Sequence, residues 1–254
     1  DSGEDRAVGG TAAYWSFGLT SCINFWRSNY HSYHTGKAPV PTSPGLFLHS
    51  DGPKELVRDD QPGRLFSYCI SKRRLSLEDI RIYFIGDSYV NGTGDPQYLG
   101  WPGRVCAASN GNGVAITGYN LGIRADTSAD VLRRWEEEVA SRRLTPHDGR
   151  IVFGFGANDC FLVDGQIRVE RTESEKNAYE ILSKAKDMLP TLMIGPPPGL
   201  GEEQHALRKD MSSLMQEIAA RTGVPYLDVI QGLGDAETWR EEVGSGDQVH
   251  PAAG

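Results

Sequence analysis

The chain has 254 residues, 39% of them hydrophobic, with a formal net charge of -8, enough for one sizeable α/β domain plus a smaller piece. The acidic balance argues against nucleic acid as a general partner, and no apolar run of about 18 residues offers a membrane span. Cys22, Cys69, Cys106 and Cys160 are widely spaced and contain no CxxC pair, which speaks against a disulfide framework or a zinc site and for free thiols.

Residues 1–78 read as an N-terminal extension outside the catalytic fold. Residues 1–79 carry nine Lys/Arg and nine Asp/Glu, and the remainder 17 and 25, so all of the net charge lies downstream. Aromatic residues cluster from Tyr14 to Tyr33, while Pro39, Pro41, Pro44 and Gly45 break any helix or central strand. His31 and His34 have a spacing that suits shared metal ligation on a helix, but no carboxylate or cysteine set completes a site. No methionine precedes Met188, so a processed extension, a domain cut from a longer chain and sequence foreign to the fold all stay open. The acidic, Gly-rich start lacks a basic region and apolar core, so a cytoplasmic location is the expectation, unless a signal was removed earlier.

From Ile80 onward the pattern is regular. Arg81–Ile85 reads as a buried strand stopped by Gly86, and a helix is predicted from about Trp101 to Ala108. Gly113–Leu121 reads as the second strand, ending at Gly122. Thr127 or Ser128 can cap the next helix, whose Val131, Leu132, Trp135 and Val139 share one face, with Arg133, Arg134, Glu136 and Glu137 toward water. Pro146 and Gly149 end that connection. Arg150–Phe155 is a third strand, followed by Gly156-Ala157-Asn158-Asp159. A helix over Glu173–Met188 turns Ala178, Ile181, Leu182 and Ala185 inward. Thr191–Ile194 is a fourth strand. A helix over Glu202–Arg221 places Leu207, Met211, Leu214 and Ile218 at 3.6-residue spacing and stops at Gly223. Val224–Val229 completes a set of five strands. Strands alternating with helices imply a parallel sheet with helices on both faces.

Parallel strands share one carboxyl edge, where ligands bind in open α/β sheets. Ser88, Gly122 and Asn158 each follow a strand, and Asp247-Gln248-Val249-His250 can return to the same edge. Acyl transfer needs these residue types. A serine hydroxyl requires a neutral imidazole to take its proton. A carboxylate fixes the imidazole tautomer and stabilises the imidazolium, and Asp247 lies one turn before His250. The oxyanion needs donors aimed at developing charge: a Gly122 backbone N–H without a side chain in the way, and the Asn158 amide.

With those residues in hand, the chain from about Ile80 to its end resembles the SGNH hydrolase superfamily, the GDSL-type esterases and lipases. Gly86-Asp87-Ser88-Tyr89 matches the first block, with tyrosine where leucine is usual. Gly122 matches the second, Gly156-Ala157-Asn158-Asp159 the third and Asp247-Gln248-Val249-His250 the last. The resemblance implies a flavodoxin-like three-layer sandwich over residues 79–254 and hydrolysis of small or medium acyl esters or thioesters without metal or other cofactor. It also implies Ser88 as nucleophile, His250 as base and Asp247 as its partner, with the oxyanion held by the Ser88 and Gly122 N–H groups and the Asn158 side chain. Tyrosine at 89 is a mild departure on this reading, because the side chain lies beyond the nucleophile. Relatives carry a helix after the histidine where this sequence has only Pro251-Ala252-Ala253-Gly254, so a loosely held His250 is expected.

Other polar residues read as structural. Asp87 stabilises the turn, Asp159 braces the Asn158 loop and Cys160 is a packed thiol. Gly86–Gly94 lacks both phosphate-loop spacings, and Gly195–Gly199 with its three prolines is a rigid pocket rim. Glu136, Glu137 and Glu138 form a solvated face, and His147 and His205 face solvent. An acyltransferase or carbohydrate deacetylase would use the same triad, and a non-catalytic binding module would use the same fold. The four intact blocks weigh against the last.

Overall fold

The computed structural model describes residues 80–143 and 148–252. The expected extension 1–78, with Cys22, Cys69, His31 and His34, lies outside the described residues, as do Pro146 and His147. The elements in chain order are β1 (Ile80–Gly86), α1 (Ser88–Asn91), α2 (Gly100–Gly111), β2 (Ile116–Gly122), α3 (Ser128–Arg142) and β3 (Asp148–Gly154). A short hairpin of β4 (Leu162–Val163) and β5 (Gln166–Ile167) follows, then α4 (Arg171–Met188), β6 (Thr191–Ile194), α5 (Glu202–Thr222), β7 (Tyr226–Leu227), α6 (Ile230–Asp235) and α7 (Glu237–Ser245).

Five strands form one parallel sheet in the order β2-β1-β3-β6-β7. Strand periodicity divides the residues between its faces. Tyr83 and Ile85 of β1, Ile151 and Phe153 of β3 and Met193 of β6 belong to a buried cluster with α3, α4 and α5, which contribute Val131, Trp135, Ile181, Leu182, Leu214 and Ile218. Phe84, one position out of phase, meets Trp101 of α2 edge-on at 5.3 Å between ring centroids. Helices thus cover both faces, the arrangement expected from the alternating pattern.

The termini of these elements follow local rules. Thr127 caps α3 in a reciprocal box with Asp130: the Asp130 N–H donates to Thr127 Oγ1 at 3.4 Å, and the Thr127 N–H to Asp130 Oδ2 at 2.9 Å. Gly223 ends α5 in the left-handed region at φ 75°. Asp164 and Gly165, both at positive φ, make the two-residue turn between β4 and β5. At Gly86 a Cβ would collide with the Gly154 carbonyl oxygen of the adjacent strand, so only glycine lets the chain turn there.

Three expectations are corrected. The fifth strand is only Tyr226–Leu227, because Pro225 has no N–H to give, Val224 donates back to the Ala219 carbonyl at 2.9 Å, and Asp228 Oδ1 accepts from the Ile230 N–H at 2.9 Å and begins a turn. Arg134 does not face water. It bridges Asp126 at 2.7 Å and Glu138 at 3.0 Å and donates to the carbonyls of Leu121 and Gly86, each at 2.9 Å. His205 is half-buried rather than solvent-facing.

Candidate active site

The site is built where β1 ends. Asp87 caps the single turn of α1 with extended backbone, and its Oδ1 accepts the Tyr89 N–H at 3.0 Å. That turn sets Ser88 at the carboxyl edge, 5% exposed. Ser88 is the first residue of α1, so helix geometry leaves its N–H without an intrahelical acceptor.

The chain returns to this edge after α7. His250 Nε2 lies 2.8 Å from Ser88 Oγ, and His250 Nδ1 lies 2.7 Å from Asp247 Oδ2. The other carboxylate oxygen, Oδ1, accepts from the backbone N–H groups of Val249 at 2.9 Å and His250 at 2.7 Å. Partial burial works to raise the Asp247 pKa and is outweighed by the His250 side-chain and backbone hydrogen bonds and the Val249 N–H, which hold it at about 2. An ionised carboxylate only accepts hydrogen bonds, so in the neutral imidazole Nδ1 carries the hydrogen and Nε2 faces the serine with its lone pair.

Asn158, in the loop after β3, donates one amide hydrogen to the Asp126 carbonyl at 2.9 Å, which leaves its second hydrogen for another acceptor. Behind it, Asp159 is fully buried and braces the loop as expected: Oδ1 accepts from the Ser128 N–H and Oδ2 from the Ser174 hydroxyl, both at 2.7 Å. Gly122 reaches the same edge but is already committed. Its N–H donates to Asn120 Oδ1 at 3.1 Å, and a Cβ there would strike the Asn91 backbone of α1. Its glycine identity therefore serves close packing of β2 on α1. In the following loop Ala125 adopts φ 66°, and its N–H meets no acceptor among the described residues.

Cys160 is buried, and burial pushes its thiol up to about 11, which makes it a poor nucleophile at neutral pH. Asp87 plays the turn-stabilising part, but burial also pushes its carboxyl up to about 7, and Oδ2 has no partner among the described residues. No group of three or more metal-binding side chains occurs among the described residues, and none of their helices is long and apolar enough to cross a membrane. A cavity of about 320 Å³ opens between the loop before α5 and helices α5, α6 and α7, lined by Pro198, Leu200, His205, Trp239, Arg240 and Val243, and its lining includes none of Ser88, Asn158 and His250. Of the Gly195–Gly199 stretch expected to form a pocket rim, Pro198 and Gly199 line this cavity.

The GDSL-like lipase/acylhydrolase family matches residues 84–253. The chain belongs to this family of ester-hydrolysing enzymes. Solved structures agree on the fold. A lipase/acylhydrolase from Enterococcus faecalis is 25% identical, with 68% of this chain and 87% of that chain covered at a TM-score of 0.52. An acetyl xylan esterase from Geobacillus stearothermophilus is 20% identical, with 67% and 86% covered at 0.54. A psychrotrophic esterase from Pseudoalteromonas sp., inhibited by monoethylphosphonate in its crystal, is 19% identical, with 68% and 87% covered at 0.52. No curated protein sequence matches the chain.

Proposed function

We propose that this esterase cleaves small or medium acyl esters through a covalent acyl-enzyme on Ser88. The observation that carries the reading is the relay from Ser88 Oγ through both imidazole nitrogens to Asp247, with contacts of 2.8 and 2.7 Å. His250 Nε2 takes the hydroxyl proton as Ser88 Oγ attacks the ester carbonyl, and the imidazolium returns it to the departing alcohol. Water then attacks the acyl-enzyme with the same imidazole as base. Asp247, ionised at working pH, stabilises the imidazolium without taking its proton.

The negative charge developing on the carbonyl oxygen calls for preorganised donors. The Ser88 N–H and the second Asn158 amide hydrogen fit this part. The Gly122 N–H is held by Asn120, so we assign the third donor to the Ala125 N–H, in the loop that Asn158 ties down through Asp126.

Ser88→Ala tests the reading. Loss of a nucleophile that works as a unit with its base should lower kcat on model esters by about 10³–10⁶-fold while leaving the circular dichroism spectrum unchanged. A fluorophosphonate should label the wild-type chain once and the variant not at all. A variant that retains more than about a tenth of the esterase rate would exclude Ser88 as the nucleophile.

A further inference from the structure

Beside the Ser88–His250 contact lies a second contact between the same two segments, one residue along on each side. The Tyr89 hydroxyl donates to the Val249 carbonyl at 2.8 Å. The other bonds of this loop are local. Gly246 donates to the Glu242 carbonyl and Gln248 to the Val243 carbonyl, each at 3.1 Å, and the Ala252 N–H donates to Glu242 Oε2 at 3.0 Å. With the bonds to Asp247 Oδ1, they tie the loop to itself and to α7 but not to the nucleophile. Gly94 also packs against the loop, close to the His250 Cβ and the Pro251 carbonyl, without donating to either. Tyr89–Val249 is therefore the hydrogen bond, apart from the catalytic contact itself, that joins the histidine loop to α1 among the described residues.

The tyrosine ring is held as well. Its centroid is 5.2 Å from that of His250 and 6.4 Å from that of Trp239, with the Trp239 ring stacked at 24°. Arg208, 2% exposed on α5, sets its guanidinium 5.6 Å from the ring centroid. Arg208 Nη1 donates to the Pro197 carbonyl at 3.2 Å and to the Tyr89 hydroxyl at 3.5 Å. An arginine buried in an otherwise amphipathic helix carries a desolvation cost, here met partly by the aromatic face. The Tyr89 backbone is fixed in turn by the Asp87 cap.

We propose that Tyr89 is a positioning residue, clamping the Val249 carbonyl so that the His250 imidazole is kept on Ser88, with Arg208 holding the clamp in place. The tyrosine that looked like a mild change from leucine would then do work that leucine cannot, because leucine has no hydroxyl to donate. The inference rests on the triad reading above. It is specific in geometry: a base displaced by about 1 Å can lose about 10²-fold in rate, while substrate contacts are left alone.

Tyr89→Phe keeps the ring and removes the bond. It should lower kcat by about ten- to a hundredfold with KM within about twofold, and slow fluorophosphonate labelling of Ser88 by the same factor. Amide exchange at Val249 and His250, measured on the full chain, should quicken, while exchange in β1 and β3 should not. Tyr89→Leu should behave alike. Wild-type kcat, labelling and exchange in Tyr89→Phe would overturn the proposal, as would a rise in KM alone, which would make Tyr89 a substrate contact. A wild-type chain that resists labelling would sink the triad reading instead, and loop exchange would still decide whether the clamp exists.

Discussion

The two carboxylate oxygens of Asp87 meet different surroundings. Its Oδ1 serves as the α1 cap, while Oδ2 is buried without a partner among the described residues. Burial is the largest influence on its pKa, with the Tyr89 N–H and Arg208 opposing it, and the carboxyl is pushed up to about 7. A raised acid favours the folded state when protonated. Below about pH 4 the group is protonated in both states and exacts no penalty. Between about pH 4 and 7 the unfolded chain ionises first, so stability falls as pH rises, and above about 7 the loss is constant. Asparagine is an equally good cap and does not titrate. Asp87→Asn should therefore gain stability over the wild type as pH rises from about 4 to 7, by at most about 4 kcal/mol, read from urea denaturation at each pH. Parallel curves for the two proteins would mean that Asp87 is ionised throughout. Asp247 has the opposite sign. Its depressed pKa contributes stability above about pH 4 that is lost as pH falls toward about 2.

At the scale of elements, α3 is more than a cover for the sheet. Arg134 gathers the carbonyls that end β1 and β2 and pairs with Asp126, whose own carbonyl receives Asn158. Its side chain is 17% exposed and that of Asp126 12%, so removing one partner leaves a largely buried charge uncompensated. Arg134→Met keeps much of the stem packing and should destabilise the fold by about 3 kcal/mol. Glu136→Ala, on the exposed face of the same helix, should stay within about 0.5 kcal/mol. Equal midpoints in urea for the two variants would reduce Arg134 to a surface residue. Periodicity assigns arginines of an amphipathic helix to water, and so it misplaces Arg134. Glu138 is a local partner of Arg134, but the Gly86 carbonyl lies 48 residues away, and Tyr89 lies 119 residues from the buried Arg208, beyond any local pattern. By contrast, the five strands and the long helices α3, α4 and α5 were legible from apolar spacing and caps. The β4–β5 hairpin had a readable Asp-Gly signal that periodicity over so short a run did not raise. The short helices α6 and α7 had none. For the candidate site, the convergence of Ser88, Asp247 and His250 was legible because the proposed chemistry needs these residue types at a strand end or one turn apart. Gly122 shows the limit of such reading: its N–H is bonded to Asn120 and a Cβ there would strike α1, and a glycine that avoids a collision looks the same in sequence as one that frees a donor.

The whole molecule explains why residues so far apart converge. β1 lies between β2 and β3, so successive connections leave it in opposite directions and open a crevice at the carboxyl edge. Ser88 follows β1 and Asn158 follows β3, on either side of that reversal, and the segment after α7 brings in the base from the far end of the chain. Each proposed chemical group, its cap, its brace and its clamp falls within residues 80–252, and the family match covers 84–253. A chain beginning at Leu77 should therefore fold, label with fluorophosphonate and hydrolyse model esters with kcat within about threefold of the full chain, a change well below that of losing a catalytic group. Solubility and kcat of the two lengths, measured side by side, check this. A shortened chain that is insoluble, or slower by more than about tenfold, would mean that the aromatic cluster from Tyr14 to Tyr33 completes the fold that carries the triad.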